Sequence, residues 1–325
     1  MRFSRRQFLS RASAVLAPFV IPTIAAAQSY PSRPVRILVG FAPGGSNDTY
    51  ARLVAQWLSD RFAQPFVVES RPGAGTNIAT EAVVKAAPDG YTLLLVNPAN
   101  AINATLYERL AFNFIRDVAP VVSMVRQPLL MLVNPSVPAK TVPEFISYAK
   151  ANPGRISVAS AGSGTAPHLA GELFRMMAGV DLIHVPYRGA GPALSDLLGG
   201  QVQVYFAGMA SGVEHVKSGK LRALGITTAA RSDSLPEVVP VSEFLPGYEA
   251  SDWFGLGVPK GTPVEIVASL NAAVNAALAD AKFRTRISEL GGAVIGGTPF
   301  EFGRMIADET DKWAKVVKFA AIKPD

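Results

Sequence analysis

The chain has 325 residues, 49% of them hydrophobic and 17% charged, which excludes a disordered or low-complexity protein and leaves room for two domains with separate cores. It has no cysteine, which excludes disulfides, thiolate metal sites and a cysteine-borne lipid anchor. The formal charge of +6 invites a nucleic-acid reading, but the excess of base lies at the N-terminus. Residues 1–27 read as an export signal. Ser4-Arg5-Arg6-Gln7-Phe8-Leu9 is a twin-arginine signature, Ala12 to Ile24 is an apolar run too short to span a bilayer, and Ala25-Ala26-Ala27 offers a cleavage site before Gln28. Removing this segment takes away Arg2, Arg5, Arg6 and Arg11 and no acid, leaving 27 basic against 25 acidic residues, a charge of +2. The case for nucleic acid then lapses, and a soluble periplasmic protein is expected.

Val35 to Phe41 is a nearly continuous apolar run, the pattern of a strand buried on both faces. Ala42-Pro43-Gly44-Gly45 turns the chain, Ser46, Asn47 and Asp48 offer caps, and Tyr50, Leu53, Val54, Trp57, Leu58 and Phe62 share one helical face. Pro65 to Glu69 is a second strand and Asn77 to Ala87 a helix with Ile78, Ala82, Val83 and Ala86 inward. Gly73-Ala74-Gly75 falls short of a dinucleotide fingerprint because Ile78 stands where its third glycine belongs. Tyr91 to Val96 is a third strand, with Asn97-Pro98-Ala99-Asn100 as the loop at its C-terminal end, where open α/β sheets bind ligands. Val118 to Val125 and Leu129 to Val133 read as two strands separated by Arg126-Gln127-Pro128, where the chain crosses to a second lobe.

There the first pattern recurs. Arg155 to Ser160 is a strand, Ala161-Gly162-Ser163-Gly164-Thr165 a Gly-rich loop, and a helix opens at Pro167. Ile183 to Val185, Val202 to Phe206 and Leu221 to Thr227 are further strands, and Leu194 to Leu198 is helical. Ala229 to Glu249, with Pro236, Pro240 and Pro246, reads as a return linker. Trp253 to Val258 re-enters the first lobe, followed by helices over Thr262–Ala279, Lys282–Leu290 and Phe300–Phe319.

Little here spells catalysis. His168, His184 and His215 stand at no metal spacing, no G-x-S-x-G occurs, and no lysine follows either Gly-rich loop as a phosphate loop requires. A Ser163/His168 hydrolase lacks a third group. No cofactor is expected. Two helix N-termini preceded by glycine suit an anion held by backbone N–H groups. Some roles stay open. Asp48 reads as a helix cap or as the acceptor of a ligand ammonium, Arg188 as a carboxylate partner or a solvated cation, and His168 as a ligand donor or a packed polar residue. Asn97 and Asn100 read as ligand contacts or as turn caps.

These stretches together resemble the Bug family of periplasmic solute-binding proteins, the receptors of tripartite tricarboxylate transporters. The resemblance rests on Tyr30-Pro31-Ser32-Arg33-Pro34-Val35-Arg36, Phe41-Ala42-Pro43-Gly44-Gly45-Ser46-Asn47-Asp48, Glu69-Ser70-Arg71-Pro72-Gly73-Ala74-Gly75 and Pro88-Asp89-Gly90-Tyr91-Thr92-Leu93-Leu94. It continues in Gly162-Ser163-Gly164-Thr165-Ala166-Pro167-His168-Leu169, Val185-Pro186-Tyr187-Arg188-Gly189 and Trp253-Phe254-Gly255-Leu256. It implies an α/β, two-lobe (Venus-flytrap) periplasmic-binding-protein fold, each lobe a mainly parallel sheet flanked by helices. Lobe 1 is expected over 28–126 and 250–325, lobe 2 over 127–249. It implies a non-catalytic monomer that closes on a small carboxylate, an organic acid or amino acid, for membrane transporter subunits. The alternatives are an exported serine hydrolase and a ligand sensor for a membrane kinase.

Carried over by position, the contacts are Ala42, Gly44, Gly45 and Asp48 in one lobe and Ser163, Gly164, Thr165 and His168 in the other. Strand and loop ends add Phe41, Asn97, Asn100, Ser160, Tyr187, Arg188 and Phe206. Near Phe206 many relatives carry an acid that is absent here. If no acid besides Asp48 faces the cleft, a carboxylate without an amine is favoured.

Overall fold

Short apolar runs become strands and the 3.6-period segments become helices. In the computed structural model, which describes residues 30–107, 109–319 and 322, β1 (Val35–Val39) leads into α1 (Ser46–Phe62), β2 (Phe66–Ser70) into α2 (Asn77–Val84), and β3 (Thr92–Val96) into α3 (Pro98–Leu106). A short α4 (Phe114–Asp117) precedes β4 (Val118–Val133). Then come α5 (Val142–Ala151), β5 (Ser157–Ser160), α6 (Ala166–Ala178), β6 (Ile183–Pro186), α7 (Ala190–Leu198), β7 (Val204–Gly208), α8 (Met209–Lys217) and β8 (Arg222–Ile226). The chain returns through β9 (Ser251–Pro259) to α9 (Val264–Ala279), α10 (Ala281–Glu289), β10 (Ala293–Val294) and α11 (Pro299–Phe319). The export-signal reading of residues 1–27 lies outside the described residues.

The expected break at Arg126-Gln127-Pro128 is absent: β4 is one strand of 16 residues. Its partners change there instead. Val118 to Pro128 pairs antiparallel with β9, and Leu129 to Val133 with β7 and β8. Proline has no N–H for a ladder, and Pro128 sits where one set of partners hands over to the next. Leu129 N–H donates to Thr227 Oγ1 (2.8 Å), and that hydroxyl donates to the Ala250 carbonyl (2.7 Å), tying β4 to the returning chain.

Strand order is β2-β1-β3-β9-β4-β7-β5-β6. Pairing is parallel among β1, β2 and β3 and among β5, β6 and β7, and antiparallel where β9 and β4 enter. The sheet is therefore mixed, because β4 and β9 are the segments that pass between its halves. Along β4 the period of two splits the core. Leu129, Met131 and Val133 pack with Phe145, Phe174 and Phe206, while Leu130 and Leu132 pack with Leu194, Tyr205 and Met209. In the other half Leu38, Leu94, Val96 and Trp253 close on Phe302.

Helix α3 is a finding, because Asn97-Pro98 reads as a turn. Asn97 Oδ1 accepts from Ala99 N–H (3.0 Å) and Asn100 Oδ1 from Asn97 N–H (2.9 Å), a capping box with Pro98 at the first turn. The other arm of the Asn100 amide donates to Thr76 Oγ1 (3.0 Å) and Thr80 Oγ1 (2.9 Å). Asn103 donates to Asn77 Oδ1 (3.0 Å). These bonds rotate α2 so that Asn77 and Thr80 are buried and Ile78, expected inward, is exposed.

A Cβ at Gly255 would meet the Phe302 ring and come within 2.6 Å of the Val122 carbonyl. Gly255→Ala should therefore lower the unfolding free energy by about 1–3 kcal/mol. Urea denaturation should show this as a lower midpoint at unchanged slope.

Candidate functional site

After β1 the chain reverses at Gly44 (φ 89°), a conformation that favours glycine, and α1 starts with no side-chain cap, Gly45 at N-cap. Asp48 is committed locally: Oδ2 accepts from Gly44 N–H (3.3 Å) and Oδ1 from Arg52 Nε (2.9 Å). The second loop is closed by its own bonds. Thr165 Oγ1 donates to the Gly162 carbonyl (2.7 Å), Gly162 N–H donates to Ser160 Oγ (3.1 Å), and Gly164 N–H donates to His168 Nδ1 (3.1 Å). Ser160 Oγ pairs with His184 Nε2 (2.7 Å), and the His184 ring stacks on His168 at 3.9 Å.

The first loop lies against the turn between β6 and α7. Ala42 N–H donates to the Arg188 carbonyl (3.0 Å). A Cβ on Gly45 would come within 2.7 Å of the Ala190 Cβ, and one on Gly191 would meet the Pro43 carbonyl. Gly164 abuts Leu106 in the same way, and Leu169 packs among Ile102, Leu106, Trp313 and Val317.

Between these contacts lies a cavity with about 20 Å³ for the centre of a water-sized sphere, room for little more than one water. Phe41, Ser46 and Asn47 line it from the first loop and α1, Asn97 from α3, and Ala161, Thr165, Ala166 and Pro167 from the second loop and α6. Ala190, Tyr205, Gly208, Ser211 and Asp252 complete it. Of the expected contacts, Phe41, Asn97 and Thr165 line this space. Gly44 and Gly45 form the contact beside it, and Asp48 holds the turn.

The remaining expected contacts are placed elsewhere. Asn100 joins α3 to α2. Phe206 is in the core against Phe174 and Tyr248, since successive strand residues face opposite sides and its neighbour Tyr205 takes the cavity side. Tyr187 donates to Asp196 Oδ2 (2.6 Å), and burial together with that carboxylate pushes its hydroxyl up to about 12. The Arg188 side chain is exposed.

Sequence reasoning missed Ser46, Asn47, Tyr205, Ser211 and Asp252. The cavity's chemistry concentrates in four of them together with Asn97. Among the described residues, Ser46 Oγ, Asn47 Oδ1, Asn97 Nδ2 and Tyr205 OH are buried without a hydrogen-bond partner, an arrangement folded proteins avoid unless a ligand or water completes it. Asp252 is 7% exposed. Burial pushes its carboxyl up to about 7, against the pull of the Trp253 N–H (3.0 Å) and the Gln127 amide. Tyr205 and Tyr50 are raised as well, by burial first and then by the nearby Asp252 charge. One signal for Asp252 was available: an acid inside an otherwise apolar strand.

The model of the tripartite tricarboxylate transporter family receptor matches residues 50–322. Protein BugT of Bordetella pertussis is 37% identical over 322 residues, 97% of this chain and 99% of its own. Among solved structures, R. palustris Rpa4515 with adipate is 36% identical with a TM-score of 0.88, covering 91% of this chain and 100% of that one. MatC (Rpa3494) from Rhodopseudomonas palustris with bound malate is 35% identical with a TM-score of 0.84, covering 89% and 100%.

The folded protein keeps a proton on Asp252 up to about 7, whereas an unfolded aspartate releases it near 3.8. Ionisation therefore opposes folding: this contribution is complete below the ordinary carboxylate range and is lost as pH rises to about 7. Without ligand, Asp252→Asn should gain stability on the native protein between those limits by up to ~1.4 kcal/mol per pH unit, then hold that lead. Thermal melts across the range check the sign.

Proposed function

We propose that this chain, which belongs to the tripartite tricarboxylate transporter receptor family, captures a small carboxylate by closing two lobes on it and presents it to membrane transporter subunits. The family consists of solute receptors and not enzymes, so the hydrolase reading of Ser163 and His168 is dropped. The adipate and malate bound to the two relatives support a carboxylate. The observation that carries the reading is the set of buried, unpartnered donors on Ser46, Asn97 and Tyr205 around one cavity between two helix N-termini. A carboxylate has lone pairs for all of them, and hydrogen bonds to a charged acceptor contribute about 1.5–3 kcal/mol each.

The lobes of this reading are 28–126 with 250–325, and 127–249. They move about the point where β4 changes partners and Thr227 holds Ala250. A cavity this small has to open before a dicarboxylate enters. Hinge closure around a ligand meets that need with two chain crossings as the pivot. Export with removal of residues 1–27, periplasmic residence and a monomeric state complete the proposal.

The test is a thermal-shift screen of the purified protein against dicarboxylates, tricarboxylates, amino acids and aromatic acids. A ligand at 100 times its dissociation constant adds ~2.7 kcal/mol, so a cognate class should raise the midpoint by several degrees. No shift with any carboxylate, after denaturation and refolding to strip carried ligand, would overturn the reading.

Gly45 has φ −100°, a conformation open to any residue, so a larger side chain there meets Ala190 and little else. Gly45→Val should leave the unliganded melt within a degree or two, by the usual small effect of such a change. Calorimetry should show affinity reduced tenfold or more, about 1.4 kcal/mol.

A further inference from the structure

Asp252 stands out among the lining residues. It is nine-tenths buried, faces the cavity and forms no ion pair with any described residue. Its hydrogen bonds are to the Trp253 N–H and the Gln127 amide. The other acid of this region, Asp48, is already matched by Arg52. A buried carboxylate without a cation is strongly unfavourable, and it becomes favourable once a charge of opposite sign reaches it. A second buried acceptor, Asn47 Oδ1, is also without a partner. The polar lining thus holds two sets: donors on Ser46, Asn97 and Tyr205, and acceptors on Asp252 and Asn47. A plain dicarboxylate satisfies only the donors and brings like charge toward Asp252.

We propose that Asp252 is the specificity-determining residue of this cavity and selects carboxylates that carry a protonated amine, whose ammonium it receives. The inference rests on the carboxylate-receptor reading above and narrows its ligand class to zwitterionic amino acids. The structure also answers the condition on which an amine-free ligand was favoured, because an acid besides Asp48 does face the site. Tyr50 from α1 and Tyr205 from β7 are the titratable groups against Asp252, both phenols kept neutral by burial, and Gln127 from β4 is uncharged. Across neutral pH the ionisation beside the ligand amine is therefore that of Asp252. An ammonium binds the ionised form, so affinity for an amino acid increases as pH rises toward and past 7, while affinity for an amine-free diacid decreases.

The experiment is calorimetry on the purified protein with matched pairs: L-aspartate and succinate, L-glutamate and glutarate, 2-aminoadipate and adipate. The expected result is an amino member binding at least tenfold tighter than its partner, with Asp252→Asn abolishing the preference. In the native protein that affinity should fall on acidification from about pH 8 to about pH 6, and in Asp252→Asn it should not. The variant retains His168 and His184, so any slope left in it belongs to other groups. A preference for the amine-free member overturns the inference while leaving the receptor reading standing. So does an undiminished preference in Asp252→Asn, or an affinity that rises on acidification. If none of the six binds, the carboxylate reading itself fails, and the inference with it. The pH series needs no variant and holds even if Asp252→Asn folds poorly.

Discussion

Gln127 lies one residue before Pro128, where β4 exchanges β9 for β7 and β8, and its carboxamide reaches three elements that wall the cavity. Its oxygen accepts the Tyr50 hydroxyl of α1 (3.3 Å) and the Ala210 N–H of α8 (3.0 Å), and its amide adjoins Asp252 of β9. A buried amide deprived of partners loses about 1–3 kcal/mol per unsatisfied group. The positions of α1, α8 and β9 are thus fixed by one side chain, whose own place follows from the register of β4 opposite β9, Gln127 facing Asp252. Ser46 approaches from the same direction: a Cβ on Gly208 would fall against both Ser46 Oγ and Gln127 Nε2. Only glycine at 208 lets the start of α1 and the end of β7 meet this amide.

The contact between the halves of the sheet follows a similar rule. Where the first loop meets the start of α7, Gly44, Gly45 and Gly191 leave backbone against backbone, with one hydrogen bond from Ala42 to Arg188. Leu169 adds an apolar patch with Ile102, Leu106 and Trp313. At roughly 25 cal/mol per Å² of apolar surface, a patch of this kind stabilises the closed arrangement by a few kcal/mol at most, against the lost freedom of the hinge. Such a contact favours closure weakly, so a ligand that completes the unpartnered polar atoms has the larger influence on the balance.

Much of this architecture is visible in the sequence. The apolar runs at 35–41, 91–96 and 253–258 mark strands because a parallel or central strand is buried on both faces. Glycines 44, 45 and 162 mark the loops, since such turns and close approaches exclude a side chain. What stayed hidden depends on partners distant in the chain. Asn97-Pro98 opens a helix rather than a loop because Asn100 caps it and is anchored by Thr76 and Thr80. The break at Arg126-Gln127-Pro128 vanishes because different strands support β4 on either side of it. Phe206 and Tyr205 exchange roles through strand parity alone, a one-residue difference that periodicity locates only once the register is known.

The electrostatic character of the cavity follows from how its two acids are treated. Asp48 stands in the first turn of α1, where the helix dipole favours a negative charge, and Arg52 balances it one turn on. The mouth of α1 is left nearly neutral, with its N–H groups turned outward. Asp252 has no such balance, yet it shares its space with hydroxyls and an amide that can donate hydrogen bonds. A cavity meant only for anions would gain from an apolar or hydroxyl side chain at this strand position, as Ser251 beside it illustrates. Retaining a carboxyl in so dry a place makes physical sense where the bound molecule supplies the missing positive charge, so the ligand completes the fold's own electrostatics as well as filling its volume.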